Sequence, residues 1–100
     1  MLFHISIDQD AEDDLSEIRV HDRRIILDSI EKILSINPCL VSASRIKRLR
    51  ELESPQYRLR VNEFRVFYDV EGSDVQILRV LPKRLAQAYL KEMGYDPENG

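Results

Sequence analysis

The sequence predicts a small α+β domain: an N-terminal strand and two helices packed on an antiparallel sheet, followed by a short C-terminal helix. Three observations predict it. From Tyr57 to Leu81 the chain alternates with a period of two, the mark of half-buried strands. Between residues 11 and 34 apolar residues recur at helical spacing instead. One hundred residues, 43% hydrophobic and 33% charged, are enough for one globular domain, 1–100, with a modest core.

Taken in order, Leu2 to Ile7 reads as the first strand, with Phe3, Ile5 and Ile7 alternating with His4 and Ser6. Asp8 or Asp10 suits the N-cap of a first helix, and Glu12, Asp13 and Asp14 suit the positive end of its dipole. Ala11, Leu15 and Ile18 form its apolar side. An interruption is expected at His21-Asp22, and a second helix carries Ile25, Ile26, Ile30, Ile33 and Leu34 until Asn37-Pro38 ends it. In the segment from Cys39 to Gln56, Ser42 to Ser44 reads as loop, and Ile46, Leu49 and Leu52 as one or two helical turns.

The strands follow. Tyr57, Leu59 and Val61 alternate with Arg58 and Arg60; Phe64, Val66, Tyr68 and Val70 alternate with Arg65, Phe67 and Asp69. Only Asn62 and Glu63 are free for the turn between them, and Asn tolerates the left-handed backbone that a two-residue hairpin needs. Gly72 serves the second turn, Glu71 to Asp74. If that turn has two residues, Arg79 falls on the face of Val66. Either the register shifts by one, or Arg79 lies at the sheet margin. A last helix spans Leu85 to Met93 with Ala86, Tyr89 and Leu90, and the polar end 94–100 is expected to fray.

Charge is unevenly spread. Net charge is −3, yet residues 1–36 hold nine acids and four bases, while residues 37–91 hold eleven bases and six acids. A basic sheet half beside an acidic helical half points to a polyanionic partner for the former. No apolar run could span a membrane and no signal peptide is expected, while the single Cys39 suits a cytoplasmic location. Two distant histidines and one cysteine draw no metal cluster, and neither metal nor cofactor is expected.

The hairpin carries the chemistry. Pairing Val61 with Phe64 sets Arg60 opposite Arg65 and Arg58 opposite Phe67, and like charges in register destabilise a sheet. Either this is a solvated outer face or it is an anion site for phosphates. Arg45, Lys47, Arg48 and Arg50 run into it from the preceding segment. With no phosphate-binding glycine loop and no Ser/His/Asp spacing, an enzyme here would work through Arg, Lys and Tyr. RNA suits that set because it brings its own nucleophile, the 2′-OH, leaving alignment and charge stabilisation to the protein.

The order of elements, with YRLRVNEFRVFYDV and VQILRVLPKR followed by a tyrosine, resembles the RelE/ParE superfamily of toxins from bacterial type II toxin–antitoxin systems, up to Tyr89. The resemblance implies a small RelE-like fold and a cognate antitoxin. It also implies a ribosome-dependent mRNA endonuclease that works without metal. On this pattern Arg65 with Lys83 or Arg84 would stabilise phosphate, Arg58 and Arg60 would bind substrate or activate the base, and Tyr89 would stack on a base. A ParE-like inhibitor of DNA gyrase, or a toxin reduced to an antitoxin-binding module, is the alternative.

Overall fold

The computed structural model describes residues 2–95. Strand β1 (His4–Ile7) leads into helices α1 (Gln9–Ser16) and α2 (Val20–Ser29), the latter extended by a π-helical turn, Ile30–Leu34. Strands β2 (Ile46–Arg48), β3 (Tyr57–Val61), β4 (Phe64–Glu71) and β5 (Asp74–Pro82) follow, and helix α3 (Lys83–Glu92) closes the chain. One sheet holds all five strands in the order β1-β5-β4-β3-β2, with β1 parallel to β5 and every other pair antiparallel.

The expected hairpin register holds: Val61 pairs with Phe64, Arg60 with Arg65 and Arg58 with Phe67. Asn62 supplies the left-handed residue at φ 52°. The second turn is also tight, with Glu71 opposite Asp74. The dilemma over Arg79 is solved by a bulge. Tyr68 pairs with Ile77, but Phe67 pairs with Arg79, so Leu78 is the extra residue. Beyond it every side chain of β5 changes face, and Val80 rather than Arg79 meets Val66.

The sheet therefore has two apolar sides. On one, α1, α2 and the π turn lay Ala11, Leu15, Ile26, Ile30 and Leu34 over Leu59, Val61, Val66, Tyr68 and Ile77. Tyr68 is fully buried there, stacks on Tyr57 at 5.3 Å between centroids and donates a 2.6 Å hydrogen bond to the Pro38 carbonyl. On the other side a smaller cluster joins Phe67 and Leu81 to Leu49, Leu52, Ala86 and Tyr95. This second core was not foreseen, and it leaves only part of the arginine side of the sheet open.

Three boundaries differ from expectation. The helical break falls at residues 17–19, not at His21-Asp22, because the Arg23 guanidinium gathers the closing carbonyls of α1. It donates to Leu15 O at 2.8 Å and Ile18 O at 2.8 Å. Residues Ile46–Arg48 form a strand, not a helical turn, since Lys47 pairs with Arg58 and the Ser42 hydroxyl accepts from the Arg45 and Ile46 amides on the outer edge. The expected fray at residue 94 begins too early, because Tyr95 is buried; residues 96–100 lie outside the described residues.

Candidate functional site

Alternation along β2, β3 and β4 sends Lys47, Arg58, Arg60, Arg65 and Phe67 to the side of the sheet opposite α1 and α2. Two rows cross the strands. Arg60 pairs with Arg65, and the Arg60 amide donates to the Arg45 carbonyl at 2.8 Å, so Arg45, Arg60 and Arg65 lie in line. Lys47, Arg58, Phe67 and Arg79 form the next row.

Arg65 is only 7% exposed. One of its terminal nitrogens donates to the Asn62 and Phe64 carbonyls at 2.8 and 2.9 Å, which ties the guanidinium to the hairpin turn. Burial pushes its pKa down from the ordinary arginine value, and Arg60 adds to this, with Glu63 opposing. Arg58 is half-buried; burial, then Arg65 and Arg60, push it down, while Tyr95 opposes. Both remain cations at neutral pH, as guanidinium groups do. Among the described residues none of Arg58, Arg60 and Arg65 forms an ion pair with a carboxylate. The Arg58 Nε is buried with no hydrogen-bond partner. A buried charged donor left unmet costs roughly 1–3 kcal/mol or more, and on this face it is Arg60 that stands exposed to an anion from outside.

Other cations expected at the site divide between those the fold brings to it and those it does not. Lys83 and Arg84 open α3, exposed, and the Lys83 amide donates to the Glu63 carbonyl at 2.7 Å, which places them beside the hairpin end where Arg60 and Arg65 lie. Arg48 is turned to the opposite side of the sheet. Its guanidinium donates to the Gln56 carbonyl at 2.8 Å and covers the Tyr57 ring at 5.1 Å, because the alternation that exposes Lys47 turns its neighbour away. Arg50 is exposed in the turn after β2, at the far end from the Asn62 hairpin.

Tyr89 sits over the row but is already engaged. Its ring packs on Phe67 at 5.0 Å and lies under Arg79 at 5.4 Å. Burial raises its pKa, with Arg79 opposing, so its phenol holds its proton at neutral pH. Arg79 itself is neutralised: Asp14 of α1 accepts from it at 2.7 and 2.9 Å, a bond that raises its pKa. Within the strands the free cations therefore end at β4, since Arg79 on β5 is paired; Lys83 and Arg84 lie just past the end of β5. Sequence reasoning missed Tyr95, which reaches this side of the sheet and contacts Lys47. The signal was Gly94 followed by an aromatic residue, the pattern of a helix C-terminus that folds back on itself.

Among the described residues no three or more His, Cys, Asp or Glu side chains gather to hold a metal ion, and no helix is long and apolar enough to cross a membrane. The chemistry on offer is electrostatic. Fixed guanidinium groups can hold a phosphodiester and stabilise charge that develops on it.

The family model for the ParE toxin of type II toxin–antitoxin systems, parDE, matches residues 5–86. No curated protein matches the chain. Among solved structures, a RelBE toxin–antitoxin complex from Mycobacterium tuberculosis aligns with a TM-score of 0.71 at 21% identity, covering 82% of this chain and 92% of that one. A chromosomal ParDE system from P. aeruginosa aligns at TM-score 0.61 and 17% identity, over 81% of this chain and 96% of that one. The free E. coli toxin RelE, in a mutant form, aligns at TM-score 0.56 and 13% identity, over 89% and 92%. These likenesses are of fold, and they match the expected α+β architecture.

Proposed function

The chain belongs to the ParE toxin family of type II toxin–antitoxin systems, and we propose that it stops translation as a ribosome-dependent mRNA endonuclease until a cognate antitoxin covers it. One observation carries this reading: Arg58, Arg60 and Arg65 share one face without a carboxylate partner among the described residues, and Arg60 stands exposed on it. RNA phosphates are anions that such a face can hold. Arg58 and Arg60 hold the backbone, and Arg65, locked by its carbonyl contacts, meets the negative charge that grows on the non-bridging oxygens as the 2′-oxygen bonds to phosphorus and the bond to the 5′-oxygen breaks. Water takes the 2′-OH proton and returns one to the leaving oxygen. Lys83 and Arg84 add positive charge at the hairpin end, where the leaving oxygen would need it. Tyr89 acts through Phe67 and Arg79, keeping the floor of the site in place.

The same open cations give an antitoxin its foothold. The M. tuberculosis relative was solved as a toxin–antitoxin complex. An antitoxin segment bearing acidic side chains would neutralise the face that Arg58, Arg60 and Arg65 share and so block RNA.

A second reading, gyrase inhibition by binding alone, is favoured by one specific observation. None of the side chains placed on the face is a group that accepts a proton near neutral pH, and the family matched is that of ParE. Two assays in parallel decide between them. Purified protein added to mRNA-programmed ribosomes should give a new primer-extension stop in the decoding site and leave gyrase supercoiling untouched. Intact mRNA with blocked supercoiling would transfer the protein to the second reading. If both assays are silent, the chain is an antitoxin-binding module.

A further inference from the structure

The open face continues past Arg58 onto β2. Lys47 stands directly opposite Arg58, and its Nζ donates a 3.1 Å hydrogen bond to the Tyr95 hydroxyl while lying 5.5 Å from the centre of that ring. Tyr95 is held there by the end of α3. Gly94 takes φ 99°, its amide donates to the Lys91 carbonyl at 3.1 Å, and the Tyr95 amide donates to the Leu90 carbonyl at 2.8 Å. The Tyr95 ring, 7% exposed, is fixed in the second core against Leu49 and Leu52.

A phenol offers two lone pairs and one proton. The Lys47 ammonium occupies a lone pair, and no described group accepts the proton. Lys47 links Tyr95 to Arg58, since it pairs with Arg58 in register and donates to the Tyr95 hydroxyl. The Tyr95 O–H is thus a donor without an acceptor among the described residues, bonded to the lysine that faces Arg58. The direction of the surface is set as well. Cations repeat from Arg65 to Arg60 to Arg45 and from Arg58 to Lys47, whereas on the β5 side Asp14 has neutralised Arg79. A partner with a repeating negative charge fits such rows better than a single carboxylate.

We propose that Lys47 and Tyr95 extend the arginine face into a single-stranded RNA track that leaves over the β2 edge, the Tyr95 hydroxyl donating to the phosphate that Arg58 holds and Lys47 pairing with the next one. The proposal rests on the RNA reading above. It assigns to Tyr95, not Tyr89, the tyrosine that touches the strand.

The test is fluorescence anisotropy with a labelled single-stranded 2′-O-methyl RNA, which lacks the free 2′-OH and so is not cut by its own attack. Full-length wild type is compared with Tyr95→Phe, Lys47→Met, the double variant and Arg58→Ala, with circular dichroism showing each to be folded. Tyr95→Phe and Lys47→Met should each weaken binding about 5–10-fold, and the double variant should lose less than the product of the two. The slope of log affinity against log salt should flatten by about 0.7 for Lys47→Met and stay unchanged for Tyr95→Phe. A packing role alone would not separate the two slopes. If Tyr95→Phe and Lys47→Met bind like wild type while Arg58→Ala does not, the track is wrong and the RNA reading stands. If wild type fails to bind even at low salt, both fall.

Discussion

Replacing Asp14 with alanine should be the most costly single change at the surface of this fold. The carboxylate accepts from Arg79 Nε at 2.7 Å, from a second Arg79 nitrogen at 2.9 Å and from the Val80 amide at 2.9 Å. It thereby serves the edge of β5 where β1 has ended, since β1 pairs only as far as Ile77. Asp14 is 13% exposed and Arg79 32%. Losing the carboxylate leaves the Val80 N–H without its partner, which costs about 1–3 kcal/mol. A fully buried pair broken on one side would add about 3–5 kcal/mol, but with a third of Arg79 in water the addition is nearer 1 kcal/mol. We expect about 3 kcal/mol in all, or roughly 12–20 °C in the unfolding midpoint of a chain this size. Urea unfolding of Asp14→Ala, Arg79→Met and the double variant measures it. The double variant should be clearly more stable than the sum of the singles implies, because removing Arg79 also removes the stranded charge. A loss under about 0.5 kcal/mol for Asp14→Ala, or strict additivity in the cycle, would refute the reasoning.

Further predictions concern the core, pH and the junction of the helices. Tyr68→Phe removes the hydroxyl bonded to Pro38 O and should cost about 1–2 kcal/mol by urea unfolding, because the carbonyl is left without that donor. Tyr68 and Tyr89 have pKa values raised by burial, and Tyr57 one raised first by the neighbouring Cys39 side chain and then by burial. Raised values mean that the folded state keeps these protons longer than the unfolded chain. Stability should hold below about pH 10, the ordinary tyrosine value, and fall above it. Phenolate absorbance should rise together with unfolding; full ionisation of all the tyrosines in a still-folded chain would contradict this. Arg23→Ala should cost about 1–2 kcal/mol and loosen the α1–α2 junction, seen as faster amide exchange at the end of α1.

The hairpin was legible because a two-residue turn leaves no freedom: Asn62-Glu63 fixes the register, and the register fixes which arginines oppose each other. The helical stripe was equally readable, with Ile26, Ile30 and Leu34 all buried at helical spacing. What escaped was decided by contacts between distant residues. The Leu78 bulge shifts a strand by one residue, and alternation does not record it; only the misplaced Arg79 hinted at it. Strand β2 is three residues long with a single buried apolar side chain, too short to show a period. The helix break depends on Arg23 reaching back to carbonyls up to eight residues earlier. Of the candidate site, the common face of Arg58, Arg60 and Arg65 was readable because a strand places them mechanically. Arg48 and Lys47 were not told apart, since which face each takes follows from β2 being a strand at all.

If the arginine face acts on RNA, the loss of Arg60 must show it. Arg60 is exposed and none of the hairpin's hydrogen bonds depends on its side chain, so Arg60→Ala should fold as wild type does. Primer extension on mRNA-programmed ribosomes, run with wild type and Arg60→Ala at equal concentration, is the measurement. The account predicts a decoding-site cut with wild type and a cut at least 10-fold slower with the variant, about 1.4 kcal/mol of lost transition-state stabilisation. Equal cutting by both would remove the arginine face from the reaction.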